Sequence, residues 1–152
     1  GQKCLSDSAF ETFKDSLKEL VQMKSVSLGF TSAKIITNKG IEALCDALPN
    51  LQRLSSLRLY FGINQEIDEI AANKIAEALK YLPALKNVFL SLFTCPKLSE
   101  NVNGLVRLFK VLIEKKNIQK IFLNIDSSEV DEKYIKDLKK QRKWCPLLCF
   151  YQ

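Results

Sequence analysis

The feature that most constrains this chain is a repeat. Phe13, Leu17, Leu20, Met23, Val26, Leu28 and Phe30 recur thirty-one positions later as Leu44, Leu48, Leu51, Leu54, Leu57, Leu59 and Phe61. A second step of thirty-one lands on Ile75, Leu79, Leu82, Leu85, Val88, Leu90 and Leu92, all apolar again. A third step needs thirty-three and reaches Leu108, Leu112, Ile118, Ile121, Leu123 and Ile125, with Lys115 the single polar break. A shorter, poorly matched last unit reads from Ile135, Leu138 and Trp144 to Leu147, Cys149 and Tyr151. An apolar pattern that keeps its phase in this way implies one supersecondary unit stacked on copies of itself, because no single unit can bury its own apolar face.

Two apolar periods alternate within each unit. Phe10, Phe13 and Leu17, then Leu44 and Leu48, Ile75 and Leu79, and Leu105, Leu108 and Leu112 have the three-or-four spacing of a helix face. Val26 to Phe30, Leu57 to Phe61, Val88 to Leu92 and Ile121 to Ile125 alternate strictly and predict short strands. Ser8 with Glu11, and Ser128 with Asp131, have the spacing of capping boxes at helix starts. Pro49 and Pro83 fall where helices should stop. A helix between consecutive strands makes those strands parallel neighbours. Strands stack about 4.8 Å apart and helices about 10 Å apart, so such a stack curves with its strands on the concave side and its helices on the convex side. The expectation is one α/β domain over residues 1–152 with about five units.

Composition removes several functions. The 152 residues include no histidine, which excludes Ser-His-Asp and Cys-His nucleophilic schemes and histidine-containing zinc sites. The five cysteines, an odd number, argue for reduced thiols, and Cys145 and Cys149 have no second pair to complete a metal site. The five glycines are too dispersed to form a phosphate-cradling loop, so nucleotide-dependent enzymes are not expected. Glu66, Asp68 and Glu69 lack the alternating oxygen ligands of a calcium loop and suit a helix start instead. There is no long apolar run and no signal-like leader, so no membrane insertion is expected and a cytoplasmic location is. Because the chain begins Gly1-Gln2 rather than with Met, processing or missing upstream sequence is expected, and Cys4 and Leu5 read as the remnant of an earlier strand.

At this point the residues resemble the leucine-rich repeat family, in its ribonuclease-inhibitor-like class with one helix per repeat. The stretch Ile67 to Leu92, IDEIAANKIAEALKYLPALKNVFLSL, is similar to that class's Ala- and Leu-rich helix followed by a leucine-triplet strand, and Gly40 to Phe61 has the same form. The degenerate repeats are also similar to arrays of ciliated protists. The period is longer than the 20 to 29 residues usual for such repeats, and the asparagine expected after the strand occurs only as Asn64, displaced into a loop. The resemblance implies a leucine-rich repeat solenoid, and the Cys4–Leu5 remnant fits a fragment of a longer array. It also implies a non-enzymatic protein-binding scaffold, with no cofactor and no catalytic residue.

Binding residues are expected between the triplet positions, on the concave strand face. One row reads Ser27, Arg58, Phe89 and Phe122, and the next reads Gly29, Tyr60, Ser91 and Asn124. Aromatics beside an arginine are typical binding anchors. Arg58, Tyr60, Phe89, Ser91, Phe122 and Asn124 are therefore the candidate partner-binding residues, for a protein taken up within a larger assembly. A competing reading comes from charge, since five of the six net positive charges fall after residue 102. Lys136, Lys139, Lys140, Arg142 and Lys143 have the spacing of a basic helix face that could meet nucleic-acid phosphates. The apolar run Trp144 to Tyr151 is expected to cap the stack, or to pair at its edge with another chain.

Overall fold

In a computed structural model of the protein, residues 7–30, 36–125, 136, 137 and 140 are described. Four five-residue strands, β1 (Ser25–Gly29), β2 (Ser56–Tyr60), β3 (Asn87–Ser91) and β4 (Lys120–Asn124), form one parallel sheet in chain order. The pairing register is the one the repeat demands: Ser27, Arg58, Phe89 and Phe122 lie side by side, as do Gly29, Tyr60, Ser91 and Asn124. Each strand starts one residue before its apolar triplet. The ladder nonetheless runs through the triplet's end, with the amides of Phe30, Phe61 and Leu92 donating to Tyr60, Ser91 and Asn124 carbonyls at 2.7–2.8 Å.

The connecting helices are α1 (Asp7–Glu19), α2 (Asn38–Ala47), α3 (Glu69–Lys80), a single turn α4 (Lys97–Glu100) and α5 (Asn103–Glu114). α1 packs on α2, α2 on α3, and α3 on α5. The core lies between this layer and the sheet, where Leu57, Leu59, Val88, Leu90, Ile121 and Leu123 join Leu44, Leu48, Ile75, Leu79, Leu108 and Leu112 in one buried cluster. The first unit is thinner than its pattern suggests. Leu20 is 43% exposed where the equivalent Leu51 and Leu82 are fully buried, and Phe13, Met23 and Leu28 are only half-buried. α1 and β1 have a packed neighbour on one side only among the described elements, so their outward positions gain less cover.

The helix starts correct one expectation and reveal a device that apolar spacing does not encode. Ser8 lies inside α1, which begins at Asp7, so the Ser8/Glu11 pair is not a capping box. Asp7 turns to the next unit instead. Its carboxylate accepts from the Thr37 amide at 2.9 Å, the Thr37 hydroxyl at 2.6 Å and the Gly40 amide at 3.1 Å. Unpaired amides at a helix N-terminus attract a nearby anion, and here the nearest carboxylate belongs to the preceding helix. Thr37 itself caps α2. Thirty-one residues on from Asp7, Asn38 accepts from the amide of Asp68, which caps α3 by accepting from the Ile70 amide at 2.7 Å. Ser128 and Asp131 lie outside the described residues.

The helix stops behave as expected. Pro49 sits in a 3₁₀ turn, Leu48–Asn50, directly after α2, and α3 ends at Lys80, ahead of Pro83. Lys115, the break in the repeat, stands at the end of α5 and donates to the Leu82 carbonyl at 3.0 Å and to that of Lys80. A cation at the carbonyls of the α3 C-terminus and the turn after it replaces the leucine found there in other units. Burial lowers the Lys115 pKa from its ordinary value. Asn64 is fully buried, donating to the Ile36 carbonyl at 3.1 Å and accepting from the Glu66 amide at 2.9 Å, so it ties two successive loops together. The two extra residues of the third step fall in the connection that contains α4.

Candidate functional site on the strand face

Pleating sends alternate side chains of each strand to opposite sides of the sheet. The triplets take the helix side, so the positions between them form the other face. Ser27 and Arg58 are exposed there, Tyr60, Phe89, Phe122 and Asn124 are half-buried, and Ser91 is 8% exposed. Five of the six candidate residues are thereby brought onto one surface in the expected rows, whereas Ser91 keeps its place in the row but is buried, not exposed to a partner as expected. Because each strand begins a residue early, a third row joins them: Ser25, Ser56, Asn87 and Lys120. Stepping back two positions from the first in-between residue would have found it.

The aromatics of this face touch one another. The Phe89 and Phe122 rings stack with centroids 3.9 Å apart and planes at 10°, and Tyr60 leans on Phe89 from the β2 side at 4.6 Å and 37°. A hollow of about 490 Å³ runs over them, bordered by Arg58, Tyr60, Asn87, Phe89, Lys120 and Phe122. None of the twelve strand positions of this face is acidic. Among the described residues, the buried carboxamide oxygen of Asn124 has no hydrogen-bond partner.

A second hollow, of about 350 Å³, lies against β1 and is lined by Phe10, Phe13, Leu28 and Phe30 among others. The equivalent Ile41, Leu44, Leu59 and Phe61 are fully buried, because α1 and β1 cover them in the next unit. Of the basic stretch, Lys136 and Lys140 are exposed, while Lys139, Arg142 and Lys143 lie outside the described residues, as does Trp144 to Tyr151. In the acidic loop, Glu66 accepts from Lys97 at 2.8 Å and Asp68 caps α3. That bond with Glu66 raises the Lys97 pKa. Among the described residues, no three acidic or cysteine side chains are grouped to hold a metal ion, and no helix is long and apolar enough to cross a membrane.

Cys45 and Cys95 are buried thiols, and that of Cys95 donates to the Phe61 carbonyl at 3.4 Å. Burial, aided by the Asp46 charge, pushes the Cys45 pKa up to about 12. A thiol held protonated is a poor nucleophile. With iodoacetamide at pH 8, peptide mass spectrometry is expected to find Cys45 unlabelled in the folded chain and labelled in guanidinium. The folded state binds the Cys45 proton more tightly than the unfolded one. That contribution to stability is therefore complete below about pH 9 and is lost as pH rises toward 12.

No protein-family model matches the chain, and no curated protein matches it. Among solved structures it is similar to "Leiomodin-1 Actin-Binding Site 2 (ABS2)", with a TM-score of 0.61 and 14% sequence identity, over 94% of this chain and 79% of that one. At that identity the likeness is one of fold.

Proposed function

We propose that this chain is a non-enzymatic binding module, a leucine-rich repeat solenoid whose concave strand face takes up a protein partner within a larger assembly. The observation that carries this reading is the aromatic series Tyr60, Phe89 and Phe122, kept half-exposed on the face opposite the helices. Parallel sheets are usually covered on both faces, and aromatics preorganised on a stiff sheet lose little freedom on binding. The fold neighbour is an actin-binding site of leiomodin-1, which makes actin the first defined partner to try.

The test is quantitative affinity purification with the wild-type chain and with the double variant Phe89→Ser, Phe122→Ser, alongside co-sedimentation with purified actin. Proteins recovered with the wild-type chain should be lost or reduced at least about tenfold with the variant, as expected when central aromatic anchors are removed. An unchanged set of recovered proteins, from a variant that still folds by circular dichroism, would overturn the reading.

A further inference from the structure

We infer that the occupant of the strand face is an extended, acidic segment of a protein partner, its carboxylates meeting Arg58 and Lys120 on either side of the Phe89–Phe122 stack. This rests on the reading of that face as a protein-binding surface. Charge is the first argument. The face carries two cations and no carboxylate. Three cations elsewhere do pair between units: Lys14 with Asp46 at 3.3 Å, Lys97 with Glu66 at 2.8 Å, and Arg107 with Glu77. Among the described residues, Arg58 and Lys120 make no such pair. Both are exposed.

Spacing is the second argument. Arg58 and Lys120 stand two strands and one row apart, which puts their Cα atoms about 12 Å from each other. An extended chain covers that distance in about three to four residues. The third argument concerns the rings. Phe89 has Phe122 against it on the β4 side and Tyr60 on the β2 side, so its faces are already engaged. What it offers a ligand is its edge, the electropositive part of an aromatic ring, which suits carboxylates and apolar side chains.

The experiment is selection of a phage-displayed library of random twelve-residue peptides on the wild-type chain, followed by fluorescence anisotropy with the selected peptides. The expected result is enrichment of Asp and Glu three or four positions apart. Binding should weaken at least about tenfold in Arg58→Ala, Lys120→Ala and fall with added salt. Lys136→Ala, Lys140→Ala should bind as wild type. The first pair is exposed, so a variant with an unchanged melting temperature reports binding and not folding. Selection of peptides without acidic enrichment, selection of none, or affinity indifferent to the Arg58/Lys120 pair overturns the inference. If those peptides are still lost in Phe89→Ser, Phe122→Ser, the protein-binding reading survives it; if they are indifferent to that variant too, both fall. An oligo(dT) probe that binds and is lost in the same variants would assign the face to nucleic acid and overturn the inference as well.

Discussion

Gly104→Ala is expected to destabilise the protein by about 2–3 kcal/mol, although helix propensity alone favours alanine by about 1 kcal/mol. A Cβ at Gly104 would lie 2.5 Å from the Glu69 carbonyl oxygen and 3.0 Å from both the Glu69 Cα and the Ala72 Cβ. Those atoms belong to the first turns of α3, so relief requires the two helices to move apart. Among the described helices, α3 and α5 form the most extensive pair. Gly104 is also the third member of a column, thirty-three residues after Ala71 and sixty-four after Gly40. A small residue at this position is what lets each helix approach the previous one. At Gly40 the nearest obstacles are side-chain atoms, Asp7 Oδ1 at 2.5 Å and Phe10 Cδ2 at 3.1 Å. These can yield, at the expense of the Asp7 hydrogen bonds, so Gly40→Ala should lose less, about 1–2 kcal/mol. Urea denaturation followed by circular dichroism gives the order directly. A Gly104→Ala chain as stable as wild type would mean that the α3–α5 contact carries no steric constraint.

The sheet, its register and eight of the twelve positions on its open strand face were legible because all follow from one signal. Apolar side chains must alternate along a strand with one buried face, and the same phase recurring every thirty-one residues fixes which residues stand side by side. What escaped the sequence depends on polar contacts across that same interval. Asp7 capping the next helix is a carboxylate placed by the meeting of α1 and α2, and a Ser-x-x-Glu pattern nearby suggested a local cap instead. Lys115 looked like a defect in the repeat, and only the position of the α3 C-terminus gives it a role. Lys120 and Asn87 were missed because a polar residue ahead of an apolar triplet reads as loop, whereas backbone pairing extends the strand to include it. Apolar periodicity reports which face is dry. It is silent on the bonds that join neighbouring units.

Two phenylalanines separate the fold from its proposed use. Phe61 ends the β2 triplet, is fully buried and stacks on Phe30 at 5.7 Å, with Phe30 in turn against Phe10 at 4.6 Å. Phe61→Ala removes a ring from a close-packed interior and leaves a cavity that neighbouring leucines cannot refill, so about 3–5 kcal/mol of stability should be lost. Phe122 has the same side chain one pleat away from the core. Its ring is half-buried against Phe89, and losing that stack should cost only about 1 kcal/mol. For a domain of this size those losses correspond to drops of roughly 6–20 °C and 2–4 °C in melting temperature. Peptide binding should show the opposite order. At a temperature where both variants are folded, Phe61→Ala should bind selected peptides as wild type does, because its side chain faces the helices, while Phe122→Ala should lose most of the affinity. Equal destabilisation by the two substitutions would mean that Phe122 is a core residue, and a strand face whose aromatics are core has no anchor left to offer a partner.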